Sequence, residues 1–160
     1  MDAIDMLVRQ HREMERTMKQ VLEAGDAEAK SLFTQVADHL TTHIASEEEV
    51  FYPAVRAKRT EDILLESLEE HLSLKRLLAD LLELELSDKT FEPKFKVLKE
   101  QAEHHHKEEE ENLFPKVKKL LDGAQREKLG DEMLALQQRL QRQGEPREAV
   151  AEQTDAAAPL

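Results

Sequence analysis

The sequence predicts an all-α protein: an antiparallel up-down four-helix bundle with an extra C-terminal helix and a disordered tail. Three observations predict it. Apolar residues recur at steps of three and four through five segments, the spacing that gathers them on one helix face. Only four Gly and five Pro interrupt 160 residues, too few turn residues for a sandwich of short strands. Charged residues make up 36% of the chain and apolar ones 39%, a balance that suits long helices with solvated outer faces.

The first helix carries Ile4, Leu7, Met14, Met18 and Val21 in phase and stops at Gly25. The second, about 26–58, carries Phe33, Val36, Leu40, Val50 and Ala54. The third, about 61–86, carries Leu64, Leu68, Leu74, Leu78 and Leu81. The fourth begins near Ser87 or Thr90, both suitable N-caps, and takes Pro93 into its early turn. Phe91, Phe95, Leu98, Ala102, Leu113, Val117 and Leu120 line its inner face before Gly123. Short joints between four long helices favour the up-down arrangement. The expected division is therefore a bundle over 1–123, an additional amphipathic helix over 124–142 with Leu129, Met133, Leu136 and Leu140, and a disordered Ala-rich tail over 143–160.

The chain repeats itself. His43 to Val55 matches His105 to Val117 at an offset of 62, and Gln10-His11 matches Glu70-His71 at an offset of 60. Helices 1–2 and 3–4 thus read as two copies of one hairpin related by a pseudo-twofold axis, a scaffold suited to holding two similar ions between its halves.

Composition excludes several functions. A net charge of −12 without a basic block argues against a nucleic-acid partner. The absence of Cys removes disulfides, thiolate zinc sites and Cys-ligated clusters. No apolar run approaches a membrane span, and Met1-Asp2-Ala3-Ile4-Asp5 lacks the features of a signal peptide. A cytoplasmic protein with no membrane partner is expected.

The informative feature is a break in the apolar stripes. His11 stands between Leu7 and Met14, and His71 between Leu68 and Leu74. His43 and Glu47 stand between Leu40 and Val50, and His105 and Glu109 between Ala102 and Leu113. Each His–Glu pair is spaced i, i+4, on one helix face. A single inward His is usually a hydrogen-bonded core residue. Four imidazoles and two carboxylates at one height of a bundle are costly to bury unless a cation partners them. Imidazole with carboxylate favours first-row transition metals. Two ions use the six residues better than one: each takes two His, and both Glu bridge. Of about twelve octahedral positions, the His fill four, the carboxylates four and an oxo or hydroxo bridge two. About two remain for a ligand such as dioxygen, peroxide or nitric oxide.

Other polar residues read differently. His39, about 40° from the His43 phase, is a candidate for orienting a ligand or replacing one. His104 and His106 flank His105 at about 100° on either side and read as solvated. Glu15, one turn after His11, reads as a surface residue more readily than as a partner of His11. Glu48, Glu49, Glu110 and Glu111 read as a solvated acidic face, and Tyr52 lies opposite the His43 phase.

The order His11, His43-x-x-x-Glu47, His71, His105-x-x-x-Glu109, with the trailing elements Glu47-Glu48…Phe51-Tyr52-Pro53 and Glu109-Glu110…Phe114-Pro115, resembles the hemerythrin-like HHE cation-binding domain family over about residues 4–121. The resemblance implies two non-haem Fe ions, oxo- or hydroxo-bridged, inside the bundle. It also implies binding of dioxygen or a related small ligand (peroxide, nitric oxide) for storage, sensing or stress response. An enzyme of catalase, peroxidase or nitric-oxide-reducing type, and an iron- or oxygen-sensing interaction module, are the alternatives. Two departures stand out. Lys75 occupies the position where oxygen-carrying hemerythrins place an additional His, and Gln10 precedes His11 where an Asp is common. The ferritin-like Glu-x-x-His pattern occurs once, as Glu103…His106, without a second copy, and His-Glu-x-x-His is absent.

Overall fold

The computed structural model describes residues 1–160. Its five long helices are α1 (Ala3–Glu23), α2 (Asp26–Ser46), α3 (Glu61–Leu82), α4 (Phe91–Glu108) and α5 (Gly123–Arg142). Helices α1–α4 form the four-helix bundle and α5 packs against α1 and α2. No helix is long and apolar enough to cross a membrane.

Local chemistry sets the ends. The Asp2 carboxylate caps α1 by accepting the Ile4 amide at 2.8 Å. Asp122 and Gln125 form a reciprocal capping box at the start of α5. Thr90 precedes α4, as expected, but its hydroxyl bonds Asp88 rather than the helix amides.

Neither α2 nor α4 stops at its last α-helical residue. Each continues through a π turn, Glu47–Phe51 and Glu109–Leu113, into a further α segment, Tyr52–Ala54 and Phe114–Leu120. Both π turns end two residues before a proline, Pro53 or Pro115. A proline inside a helix lacks the amide donor and drives its ring into the carbonyl four residues back, here Glu49 or Glu111. A turn widened by one residue relieves that conflict. The duplication in sequence is thus also a duplication of a rare backbone feature, placed at each inward Glu.

The core divides in two. Met14, Met18, Phe33, Leu40, Leu78, Phe95 and their neighbours form one apolar cluster. Leu7, Phe51, Leu64, Leu113, Phe114, Met133 and their neighbours form the other. The His and Glu residues lie in the gap between them, cut off from solvent at both ends.

The C-terminal segment corrects an expectation. Residues 143–160 are ordered, with a 3₁₀ helix over Pro146–Gln153 packed on both α2 and α3. Val150 is buried in the first apolar cluster, Arg147 pairs with Asp38 at 3.0 Å, and Arg76 holds the Thr154 carbonyl at 2.8 Å. One buried valine, the partly buried Ala157, Ala158 and Leu160 against the second cluster, and a few long-range polar contacts hold the strap down, and none of them produces a periodic pattern. At the other terminus, Gly130 of α5 lies so close to the chain start that a Cβ there would fall 2.0 Å from the Met1 carbonyl oxygen.

Candidate metal centre

The structure brings together all six residues that break the apolar stripes. His11, His43, Glu47, His71, His105 and Glu109 are each at most 2% exposed. His11 Nε2 lies 3.3 Å from Glu109 Oε1, and His43 Nε2 and His71 Nε2 each lie 3.3 Å from Glu47 Oε1. His105 Nε2 lies 3.4 Å from Glu109 Oε1. Each carboxylate therefore faces one imidazole from its own helix and one from another.

The opposite edge of every ring is held from outside. His11 Nδ1 donates to Glu110 at 2.8 Å, His71 Nδ1 to Glu48 at 3.0 Å, His105 Nδ1 to Glu70 at 2.9 Å and His43 Nδ1 to the Gln10 amide oxygen at 2.8 Å. Acceptors at Nδ1 fix the tautomer and turn each Nε2 lone pair inward, the arrangement typical of metal-ligating histidines. The pattern follows the repeat: Gln10 corresponds to Glu70 and Glu48 to Glu110. Gln10 thus serves His43 rather than its neighbour His11, and α5 supports it through paired amides with the buried Gln137 at 2.7 and 3.0 Å. Two cations anchor the outer carboxylates: Lys75 contacts Glu48 at 2.8 Å, and Arg12 contacts Glu110. Glu48 and Glu110, expected to be solvated, belong to this ring of support, whereas Glu49 and Glu111 are exposed.

Three further expectations are corrected. Tyr52 is fully buried and points inward. Its hydroxyl donates to Glu109 Oε2 at 2.7 Å and lies 3.2 Å from His71 Nε2. Nine residues at 100° put Tyr52 opposite His43 in a regular helix, but the π turn slips the phase by a residue. The signal was Pro53. His106 is 1% exposed, not solvated: its ring stacks on His11 with centroids 3.9 Å apart and 8° between planes. Glu15 serves His106, accepting from its Nδ1 at 2.7 Å, so the two misread residues explain one another. His104 is exposed, as expected, and His39 sits apart among Glu13, Thr17 and Gln35.

The inner atoms lack partners. His11 Nε2, His43 Nε2, both Glu47 oxygens and Glu109 Oε1 are buried without a hydrogen bond. His71 Nε2 and His105 Nε2 face each other at 3.1 Å. With both Nδ1 atoms donating outward, neutral rings offer two lone pairs and no proton between them. Burial, with the Glu109 charge beside it, pushes the Glu47 carboxyl well above the usual carboxylate range. Burial also pulls His43 well below, and His106 down to about 4. At His11 burial is outweighed by Glu109 and Glu110, which raise it. Unpaired acceptors gathered at one point in a dry interior carry a large desolvation cost. Cations neutralise them, and this donor set of neutral imidazole and carboxylate fits transition-metal ions such as iron. The groups close enough to share an ion are His11 and His43 with Glu47 and Glu109, His71 and His105 with Glu47, and His11 and His43 with His106.

The family model of the hemerythrin HHE cation binding domain matches residues 2–117. The chain belongs to that family. A crystal structure of an HHE domain-containing protein from Mycobacterium kansasii superposes with a TM-score of 0.80, covering 96% of this chain and 99% of that one at 23% identity, which shows the shared fold. A Nostoc protein described as a DNA nickase is 26% identical over 142 residues, 88% of this chain. The HHE chain spans 40% of that relative's length.

A cavity of about 620 Å³ lies between α2, α3, α5 and the C-terminal strap. Thr41, Leu140, Pro146 and Ala149 line it, together with the Glu48–Lys75 pair. Beyond that pair lies His71.

Proposed function

We propose that this HHE domain is a non-haem di-iron protein that binds dioxygen or a related small ligand, peroxide or nitric oxide. His11, His43, Glu47, His71, His105 and Glu109 would hold the two ions. The observation that carries this reading is the inward face itself: buried nitrogens and carboxylate oxygens without hydrogen bonds, behind four rings whose outer nitrogens are all held. Bound there, an iron pair would supply a site for such a ligand and the electrons for its reversible or net reduction. The chain contributes the rest. Glu48, Glu70, Glu110 and Gln10 hold the imidazole protons at Nδ1, and the two apolar clusters exclude water.

A second reading, turnover of peroxide or nitric oxide, is favoured by Tyr52. Its hydroxyl bears a proton at the centre, and burial beside Glu109 and Glu47 raises its pKa well above the usual phenol value, keeping that proton in place. The test is spectroscopic. Iron-loaded, anaerobically reduced protein should change its absorption on addition of dioxygen and revert when the gas is removed, if it carries or senses. If it turns over peroxide, oxygen should evolve steadily and Tyr52→Phe should slow it by about 10²-fold at unchanged iron content. A loaded protein inert to dioxygen, peroxide and nitric oxide would contradict both readings.

A further inference from the structure

We infer that Gln137, on α5 and outside the four-helix bundle, is a positioning residue for the iron ligand His43: it aims the Gln10 amide and so fixes which nitrogen of that imidazole keeps its proton. The inference rests on the metal-centre reading above. It starts from a difference among the partners of Nδ1. His11, His71 and His105 donate to carboxylates, Glu110, Glu48 and Glu70. Either oxygen of a carboxylate accepts, so such a partner has no wrong way round. Of the four, only His43 donates to an amide, that of Gln10. An amide has one accepting and one donating end. Turned end for end, Gln10 would offer N–H groups to Nδ1, and the ring would have to move its proton to Nε2, the atom that faces Glu47. A further group must select the end.

Hydrogen-bond valence makes the selection, through a ring of side chains that begins and ends at His43. The Ser46 hydroxyl donates to the His43 carbonyl at 2.8 Å. Its proton is thereby committed, and its oxygen only accepts. Gln137 accordingly presents Nε2 to Ser46 at 2.9 Å, which turns Oε1 toward Gln10. Gln10 donates to that oxygen from Nε2 at 2.7 Å, and its own Oε1 is left facing His43 Nδ1 at 2.8 Å. The second Gln137 N–H closes on the same Gln10 oxygen at 3.0 Å. In this sense every donor meets an acceptor. In the reverse sense the two amides fit each other only if Ser46 gives up the His43 carbonyl. Gln137 is 4% exposed and Ser46 fully buried, so solvent does not replace a lost partner. With the proton held outward at Nδ1, the Nε2 lone pair of His43 faces the centre.

The test joins two substitutions in the full chain. Gln137→Met keeps the length of the side chain, fills its place and removes its hydrogen bonds. Gln10→Glu gives His43 a carboxylate, the partner its three counterparts have, which needs no aiming. Nitrogen NMR of the metal-free protein reads the His43 tautomer, and competition with a chelator reads the ferrous iron affinity. Wild type should carry the His43 proton on Nδ1. Gln137→Met should move a large share of it to Nε2 and bind iron about 10–100-fold less tightly, the range for a ligand that loses its outer support. Ser46→Ala should shift both in the same direction by less, and it carries the test if Gln137→Met does not fold. Gln10→Glu added to either variant should restore the tautomer and the affinity.

A wild type with the proton on Nε2 overturns the inference. So does a folded variant with both readings unchanged, or a loss that Gln10→Glu fails to restore, since α5 would then act through packing alone. A wild type that binds no iron contradicts the metal-centre reading instead, and the NMR readings still decide the part of Gln137.

Discussion

Lys75 shows how a single residue supports the centre without facing it. It is buried at 4% exposure, and its ammonium holds the carboxylate that holds His71. Replacing Lys75 with Met removes the only cation beside Glu48. Breaking one partner of a buried pair costs about 3–5 kcal/mol, so Lys75→Met should lower the denaturation midpoint of the metal-free protein markedly, and adding Glu48→Gln should restore much of it. An unchanged midpoint would mean that Glu48 is adequately solvated. Legibility at this scale follows phase. His11, His43, Glu47, His71, His105 and Glu109 were visible because each replaces an apolar residue in a regular stripe. Tyr52 was hidden by the π turn, and His106 by its 100° offset from His105. Helix α4 packs on both α1 and α3, so its buried arc is wider than one stripe, and residues flanking the stripe also face inward.

At the scale of elements, the paired π turns connect sequence to chemistry. The repeated Pro53 and Pro115 impose the widened turn, and the turn brings Tyr52 and Phe114 to positions that α-helical geometry denies them. The joint between α5 and the chain start offers a sharper test, because two effects there have opposite signs. In an open helix Gly→Ala stabilises by about 1 kcal/mol. At Gly130 the added methyl would meet the Met1 carbonyl and approach the Ala3 amide at 3.0 Å, and both are backbone. Gly130→Ala should therefore lower the melting temperature and free the Asp2–Arg126 contact, 2.7 Å in the native protein. A rise in melting temperature would show that the N-terminus gives way freely. The existence of α5 was legible from its stripe. Its contribution through Gln137 to the support of His43 was not, since a glutamine on a helix face has no preferred partner in sequence.

The whole molecule is a duplicated hairpin made asymmetric. Its halves match in ligands and π turns, and differ at Gln10 against Glu70, Tyr52 against Phe114, His106 against Ile44 and Lys75 against Glu15. Helix α5 and the C-terminal strap both pack on α2. The strap escaped the sequence reading because its order is conferred by the surface beneath it: Asp38, Arg76 and the apolar slot for Val150 lie over 70 positions earlier in the chain or within the bundle core. A chain ending at Arg142 should retain the bundle and lose about 1.5–3 kcal/mol from Val150 alone, measured by chemical denaturation. It should also widen the cavity mouth and speed access of small quenchers to the centre. Truncation without either effect would place the strap outside the folded unit.

If cations hold the polar layer together, the protein's iron stoichiometry and its stability with and without iron report it. Purified full-length protein, loaded anaerobically with ferrous iron and freed of excess, should retain about two Fe per chain. Stripping that iron should lower its melting temperature, and His71→Ala should hold one Fe or fewer. Protein that retains less than one Fe per chain, or melts at the same temperature loaded and stripped, would mean that the polar layer stands without cations.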